Sequence, residues 1–219
     1  EQLLSLRAPF VLLRLDLRAV LVLSEFCRIH GGKLIVDISG VRAVAHKLRH
    51  MDDQLLCAAP LVPLDGLFQR ELLGDVLYHG PRNDLPDEYA PKDVIEILNG
   101  MKNEILCVRG NCDTEVDQMV LKFPVLADYA VLALGEKMIY MTHGHIYNEN
   151  NLPPISDGDI LLHGHTHVPK CTEHKKYIYM NPGSVSIPKE NSHHGYMTLR
   201  DGTFLWKDFD GNVIGEYKI

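Results

Sequence analysis

From residue 93 onward the apolar positions follow the two periods of a layered α/β chain. Val94, Ile95, Ile97, Leu98 and Met101 recur at helical spacing and predict a helix over 93–101. A short apolar run over 104–108 predicts a strand that ends at Gly110. A second helix is expected over 113–122, with Asp113 or Thr114 near its cap. Residues 129–134 and 137–141 flank Gly135-Glu136, a two-residue hairpin signal of the Gly-X type. Residues 159–162 and 177–180 read as buried strands. The tail alternates strand and turn around Asp201-Gly202 and Asp210-Gly211. Helices alternating with strands, then a β-rich end, predict a layered α/β sandwich.

The pattern before residue 70 is weaker. Strands over 12–23 and 33–38 and a helix over 41–51 are the best assignments. The apolar stretch over 10–23 is interrupted by Arg14, Asp16 and Arg18. It is too short and too charged for a membrane span, and it lacks the uncharged core of a signal peptide. The formal net charge of −7 is unevenly spread, +2 over residues 1–70 and −9 over 71–219. Such a shift marks a domain boundary, a basic appendage, or a stretch altered relative to the rest, for example one read in another frame. The overall acidity disfavours stable nucleic-acid binding, which rests on phosphate contacts to basic groups. Five scattered cysteines with no CxxC pair argue against a disulfide framework or a zinc ribbon, and fit a reducing, cytoplasmic setting.

Four segments carry candidate chemistry: Gly74-Asp75, Gly110-Asn111-Cys112-Asp113, Thr142-His143-Gly144-His145 and Gly164-His165-Thr166-His167. Each pairs glycine with an oxygen or imidazole donor and follows a strand-like run. Loops at strand ends are where α/β proteins hold ligands, and glycine permits a sharp turn and a close approach. Taken singly, Gly-Asp is a common turn, and a lone histidine is more often a surface or core residue than a ligand. Together they supply the mixed Asp, Asn and His set that suits Mn, Fe or Zn rather than calcium. Two neighbouring ions need a bridging carboxylate, for which Asp75 is the natural choice, and flanking imidazoles. His79 and His145 are each candidates for a supporting or substrate-facing role. His174, His193 and His194 lie in polar stretches and read as solvated.

These segments, with Asp75-Val-Leu-Tyr-His79-Gly-Pro81-Arg82-Asn83, Arg109-Gly-Asn111-Cys-Asp113-Thr-Glu-Val-Asp117 and Asn181-Pro-Gly-Ser-Val-Ser-Ile-Pro, resemble the YfcE type of calcineurin-like metallophosphoesterase over about residues 72–219. The resemblance implies a single metallophosphoesterase domain over 1–219, built as a four-layer αββα sandwich, with residues 1–70 atypical for the family. It implies that Asp75 bridges two divalent ions, Mn2+ foremost, with Zn2+, Fe or Ni2+ as alternatives. Asn111, His143 and His165 would hold one ion and His167 the other. A metal-activated hydroxide would attack the phosphorus of a small phosphodiester.

Two departures from the family pattern stand out. Cys112 sits where many relatives carry a histidine that protonates the leaving group, so that proton is expected from water or His145. The family's opening Asp-x-His is not found at its usual spacing; Asp37 is the best substitute ligand, and His30 a weaker one. The resemblance leaves a phosphomonoesterase as the nearest alternative. A catalytically impaired binding scaffold, like the retromer subunit of this fold, is the alternative from another class. A homodimer or homotetramer is expected, with no membrane association.

Overall fold

The computed structural model describes residues 12–15, 20–23, 69–78, 80–86 and 89–219, with side chains from Arg70 onward. The expected strand over 33–38, the expected helix over 41–51 and the candidate residues His30, Asp37 and His79 lie outside the described residues.

Twelve strands form two six-stranded sheets among the described residues. One sheet takes β1 (Leu12–Leu15), β5 (Tyr129–Leu134), β6 (Lys137–Thr142), β7 (Asp159–His163), β9 (Tyr177–Asn181) and β8 (Lys170–Glu173), in that order. The other takes β12 (Val213–Lys218), β11 (Thr203–Asp208), β10 (Gly195–Arg200), β2 (Val20–Leu23), β3 (Gln69–Leu72) and β4 (Ile105–Cys107). The expected strand over 12–23 is therefore two strands. β1 runs parallel to β5 in one sheet, and β2 lies between β10 and β3 in the other. A Leu/Val run suits either sheet, so hydrophobicity alone did not reveal the division.

The elements that the pattern places from residue 91 onward form within a residue or two of those bounds, and β8 is a strand that it does not mark. Helix α1 (Pro91–Gly100) begins with proline at its first position, where the missing N–H costs no helical bond. Val94 and Leu98, one turn apart, are fully buried against Leu72 and Cys107. Each such burial contributes about 1.5–3 kcal/mol. Helix α2 (Glu115–Val120) is shorter than the expected 113–122. The Asp117 carboxylate accepts hydrogen bonds from the Thr114 N–H at 2.6 Å and the Thr114 hydroxyl at 2.8 Å. These bonds fix Thr114 as the cap. The β5–β6 hairpin pairs Leu134 with Lys137 across Gly135, whose φ of 61° is what the tight turn demands.

Leu73, Val108, Leu132, Met141, Leu162, Met180, Met197 and Phe204 come from both sheets and fill the space between them. Helix α1 covers the other face of the second sheet. On the first sheet, Leu161, Tyr177 and Tyr179 pack outside with Tyr140 and Ile155. Every residue of β7 and β9 is buried, as expected of central parallel strands covered on both faces. No helix among the described residues is long and apolar enough to cross a membrane. The two sheets matter for function because β3 and β4 of one, and β6, β7 and β9 of the other, send their carboxyl-end loops to a common rim.

Candidate metal centre

The loop after β3 brings Asp75 to that rim, and the loop after β4 brings Asn111. They approach closely because both loops carry glycine where they touch. A Cβ on Gly74 would lie 2.3 Å from the Gly110 nitrogen, and one on Gly110 would lie 2.0 Å from Asp75 Oδ1. Asp113 ties the two loops together. Its carboxylate accepts from the N–H groups of Asp75, Val76 and Gly110, each at 2.7 Å. Burial pushes the Asp113 carboxyl up to about 6, against the pull of those three donors. The Cys112 N–H donates to Asp75 Oδ1 at 2.8 Å and orients that carboxylate.

His143 follows β6. Its Nδ1–H donates to the Leu73 carbonyl at 2.6 Å, so the lone pair resides on Nε2. That nitrogen lies 3.0 Å from Asn111 Oδ1, 3.0 Å from His165 Nδ1 and 3.4 Å from Asp75 Oδ2. The Asn111 amide N–H turns away toward Cys112 Sγ at 3.1 Å, which leaves its oxygen facing the histidines. Burial holds His143 down to about 3 and His165 down to about 4, and the neighbouring imidazoles reinforce the effect. Both rings are therefore neutral at neutral pH. Amide oxygen, carboxylate and imidazole lone pairs thus converge with few protons to share. Such a convergence is repulsive by itself, and a cation at its centre relieves it. The residues fit a divalent metal. Among the described residues, no group of three His, Cys, Asp or Glu side chains alone makes a metal-holding cluster. The Asn111 amide oxygen, 3.0 Å from His143 Nε2, would be a further donor to such an ion.

The Gly164–His167 loop is held by Asn181. The Asn181 amide donates to the Gly164 carbonyl at 2.9 Å and to Thr166 Oγ1 at 3.0 Å, while the Trp206 indole N–H donates to the Asn181 carbonyl at 2.7 Å. His167 Nδ1–H donates to the Ile187 carbonyl at 2.8 Å, which puts the ring lone pair on Nε2. Asp75, His165 and His167 all sit at positive φ, 55°, 64° and 63°. Non-glycine residues there cost of order 1–2 kcal/mol each, and such strain collects at functional sites.

A cavity of about 290 Å3 opens on this rim. Asp75, Asn111, His165 and His167 face it, together with Arg82, Asn83 and Lys189. His145 does not form part of its wall. Its ring packs on His143 at 5.2 Å and lies 6.4 Å from His165, and its Nδ1 is buried without a hydrogen-bond partner. Burial, then the Arg109 charge, lowers its affinity for a second proton. The structure therefore brings Asp75, Asn111, His143, His165 and His167 together and sets His145 behind them; Asp37 lies outside the described residues.

The sequence places Asp113 in a candidate segment without showing its role, and it does not mark Lys189. Asp113 was read as a possible helix cap, and its true bonds span loops nearly forty residues apart. Lys189 follows the Ile187-Pro188 end of the Asn181 motif, and nothing in its local pattern marks it.

The model of the calcineurin-like phosphoesterase superfamily domain matches residues 74–201. Phosphodiesterase YfcE of Escherichia coli K12 is 47% identical over 128 residues, which span 58% of this chain and 70% of that protein. The solved structure of the E. coli phosphoesterase YfcE superposes with a TM-score of 0.74 at 33% identity, covering 92% of this chain and 99% of that one. A conserved uncharacterized protein of Streptococcus pneumoniae TIGR4, described as a predicted phosphoesterase, shares the fold at a TM-score of 0.51 and 20% identity, covering 94% and 99% of the two chains. The family model spans more than half of the sequence and includes each of the converging donors, so the chain belongs to the calcineurin-like phosphoesterase superfamily.

Proposed function

We propose that this chain is a metal-dependent phosphodiesterase acting on a small phosphodiester. The observation that carries the reading is the convergence of Asn111 Oδ1, His165 Nδ1 and Asp75 Oδ2 on His143 Nε2 within 3.4 Å. Two divalent ions, Mn2+ by preference, supply Lewis acidity and water activation when bound. Asp75 would be shared by both ions, with Asn111, His143 and His165 holding one and His167 the other. The Leu73 and Ile187 carbonyls keep His143 and His167 in the tautomers that present a lone pair. Cys112 and Asp113 orient Asp75 and keep the two loops in register. The leaving-group proton comes from water or from His145. The net charge of −7 favours a small substrate over a nucleic-acid polymer. The setting is cytoplasmic, and the protein acts as a homodimer or homotetramer.

The test is hydrolysis of bis(p-nitrophenyl) phosphate by the purified chain with added manganese, with bound metal counted by elemental analysis. Turnover that requires manganese, vanishes in Asp75→Asn and accompanies about two ions per chain supports the proposal. A folded chain that takes up no metal and shows no turnover would refute it, and the scaffold reading would replace it.

A further inference from the structure

Two cations, Arg82 and Lys189, face the cavity. Among the described residues, Arg70, Lys170 and Arg200 each have an acidic partner, but the Arg82 guanidinium and the Lys189 ammonium have none. The two arrive from different sheets. Arg82 follows β3, in the turn closed by the Asn83 N–H on the Gly80 carbonyl at 3.4 Å. The Tyr89 hydroxyl donates to the Leu77 carbonyl at 2.6 Å and pins the base of that loop. Lys189 comes from the loop after β9, and its backbone is fixed at both ends. Its N–H donates to the His167 carbonyl at 3.1 Å. Its carbonyl accepts from the Ser192 N–H at 3.0 Å and the Ser192 hydroxyl at 2.7 Å. The next two residues, Glu190 and Asn191, are both left-handed, at φ 55° and 56°, and turn the chain back sharply.

We propose that Arg82 and Lys189 form a two-sided clamp that binds the phosphoryl group of the substrate and sets its class as a small, highly charged phosphoester. The inference rests on the phosphoesterase reading of the adjoining donors. Unpaired cations beside a polar cavity attract an anion, and the planar guanidinium can grip two phosphoryl oxygens at once. Carried on loops that follow strands of different sheets, the two cations can hold oxygens of one bound phosphoryl group together. Among the described residues the cavity wall carries charged, amide and imidazole side chains and no aliphatic one along which an acyl chain would lie. Recognition therefore depends on charge, and a dianionic phosphate gains more from the clamp than a monoanionic diester does.

The test compares the parent chain with Arg82→Ala, Lys189→Met, Lys189→Arg and the double variant Arg82→Ala/Lys189→Met, all manganese-loaded and checked for fold by circular dichroism. Inorganic phosphate binding is measured by calorimetry, and KM and kcat with bis(p-nitrophenyl) phosphate and p-nitrophenyl phosphate. Each loss of charge is expected to weaken phosphate binding about tenfold. It should raise KM for the monoester more than for the diester. Lys189→Arg should retain most of the affinity. Unchanged phosphate affinity and KM in the double variant would overturn the clamp. So would a parent chain that neither binds phosphate nor turns over. Phosphate binding that the variants lose, in a parent with no turnover, would uphold the clamp and refute the phosphoesterase reading instead.

Discussion

Replacing Glu71 should make this protein more stable, and increasingly so as pH rises. Glu71 lies on β3, flanked by β2 and β4, and is 0% exposed. It alternates with Leu72 and shares a face with Leu73, so it points into the core between the sheets. Neither carboxylate oxygen has a hydrogen-bond partner among the described residues. Burial pushes the carboxyl well above its ordinary 4.5, only partly opposed by its own backbone N–H and by Arg70. An orphaned buried polar group costs about 1–3 kcal/mol even when neutral. A leucine of similar size would gain about 1.5–3 kcal/mol of apolar burial instead. Glu71→Leu should therefore stabilise by about 3 kcal/mol or more at pH 5. The folded pKa is raised, so the folded state binds a proton that the unfolded state releases above 4.5. Stability of the parent consequently falls by about 1.4 kcal/mol per pH unit from there up to the folded pKa. The variant lacks that slope, and its advantage widens over the same window. At about 2–4 °C per kcal/mol for a chain of this size, the gain at pH 5 is roughly 6–12 °C in Tm. Thermal unfolding followed by circular dichroism at pH 5 and pH 8, at fixed manganese, reads it directly. Glu71→Gln separates charge from burial: it should lose the pH slope yet keep the cost of the unpaired polar group. A leucine variant that melts at or below the parent at pH 8, or a gap that does not widen with pH, would refute the reasoning.

Three further outcomes follow from the site. Gly110→Ala places a Cβ 2.0 Å from Asp75 Oδ1; bound metal by elemental analysis should fall sharply, and an unchanged metal count would mean that the loops can part freely. Asp113→Asn leaves one acceptor oxygen for three N–H donors and should destabilise by about 3 kcal/mol in urea unfolding, with a loss below about 1 kcal/mol contradicting its role as the tie between loops. His145→Ala should slow hydrolysis of an alkyl phosphodiester by about a hundredfold or more while sparing p-nitrophenyl esters, whose leaving group needs no proton. Equal losses on both substrates would assign the leaving-group proton to water and leave His145 a packing role against His143.

The site was legible in sequence where ligands lie in short Gly-containing motifs after apolar strands. Gly74-Asp75 and His165-Thr166-His167 could be read because the turn and the donor are neighbours in the chain. Asp113 was less legible, because its meaning lies in bonds to Asp75 and Val76 on another loop. In the fold, α1 and the β5–β6 hairpin were readable because each carries a full period of burial together with a turn or cap signal. β8, with Lys170 and Glu173 at its ends, is an edge strand with no buried face, so it leaves no alternation to detect. β3 escaped for a different reason. Gln69, Arg70 and Glu71 are polar, and their strand exists through its pairing with β2 and β4 rather than through its own pattern.

Glu71 and Asp75, four residues apart, show two kinds of cost in one segment. Glu71 is buried and remote from the cavity, and its carboxylate oxygens have no hydrogen-bond partner among the described residues. Asp75 is equally unfavourable locally, a buried carboxylate at positive φ, yet its surroundings are built around it. Asp113 fixes its N–H, Cys112 fixes its carboxylate, and Gly74 and Gly110 clear the space beside it. His165 and His167 repeat the arrangement: both are strained, and Asn181 and Ile187 hold their loop. If packing alone mattered, glycine would serve better at all three strained positions. Keeping a carboxylate and two imidazoles there, each in a backbone conformation that L residues avoid, supports a requirement for the side chains themselves. A scaffold that used only the outer surface of this fold would have no such requirement. Asp75→Gly therefore separates the two readings. In an enzyme it should relieve backbone strain while abolishing metal uptake and turnover. In a scaffold it should relieve the strain and change nothing else.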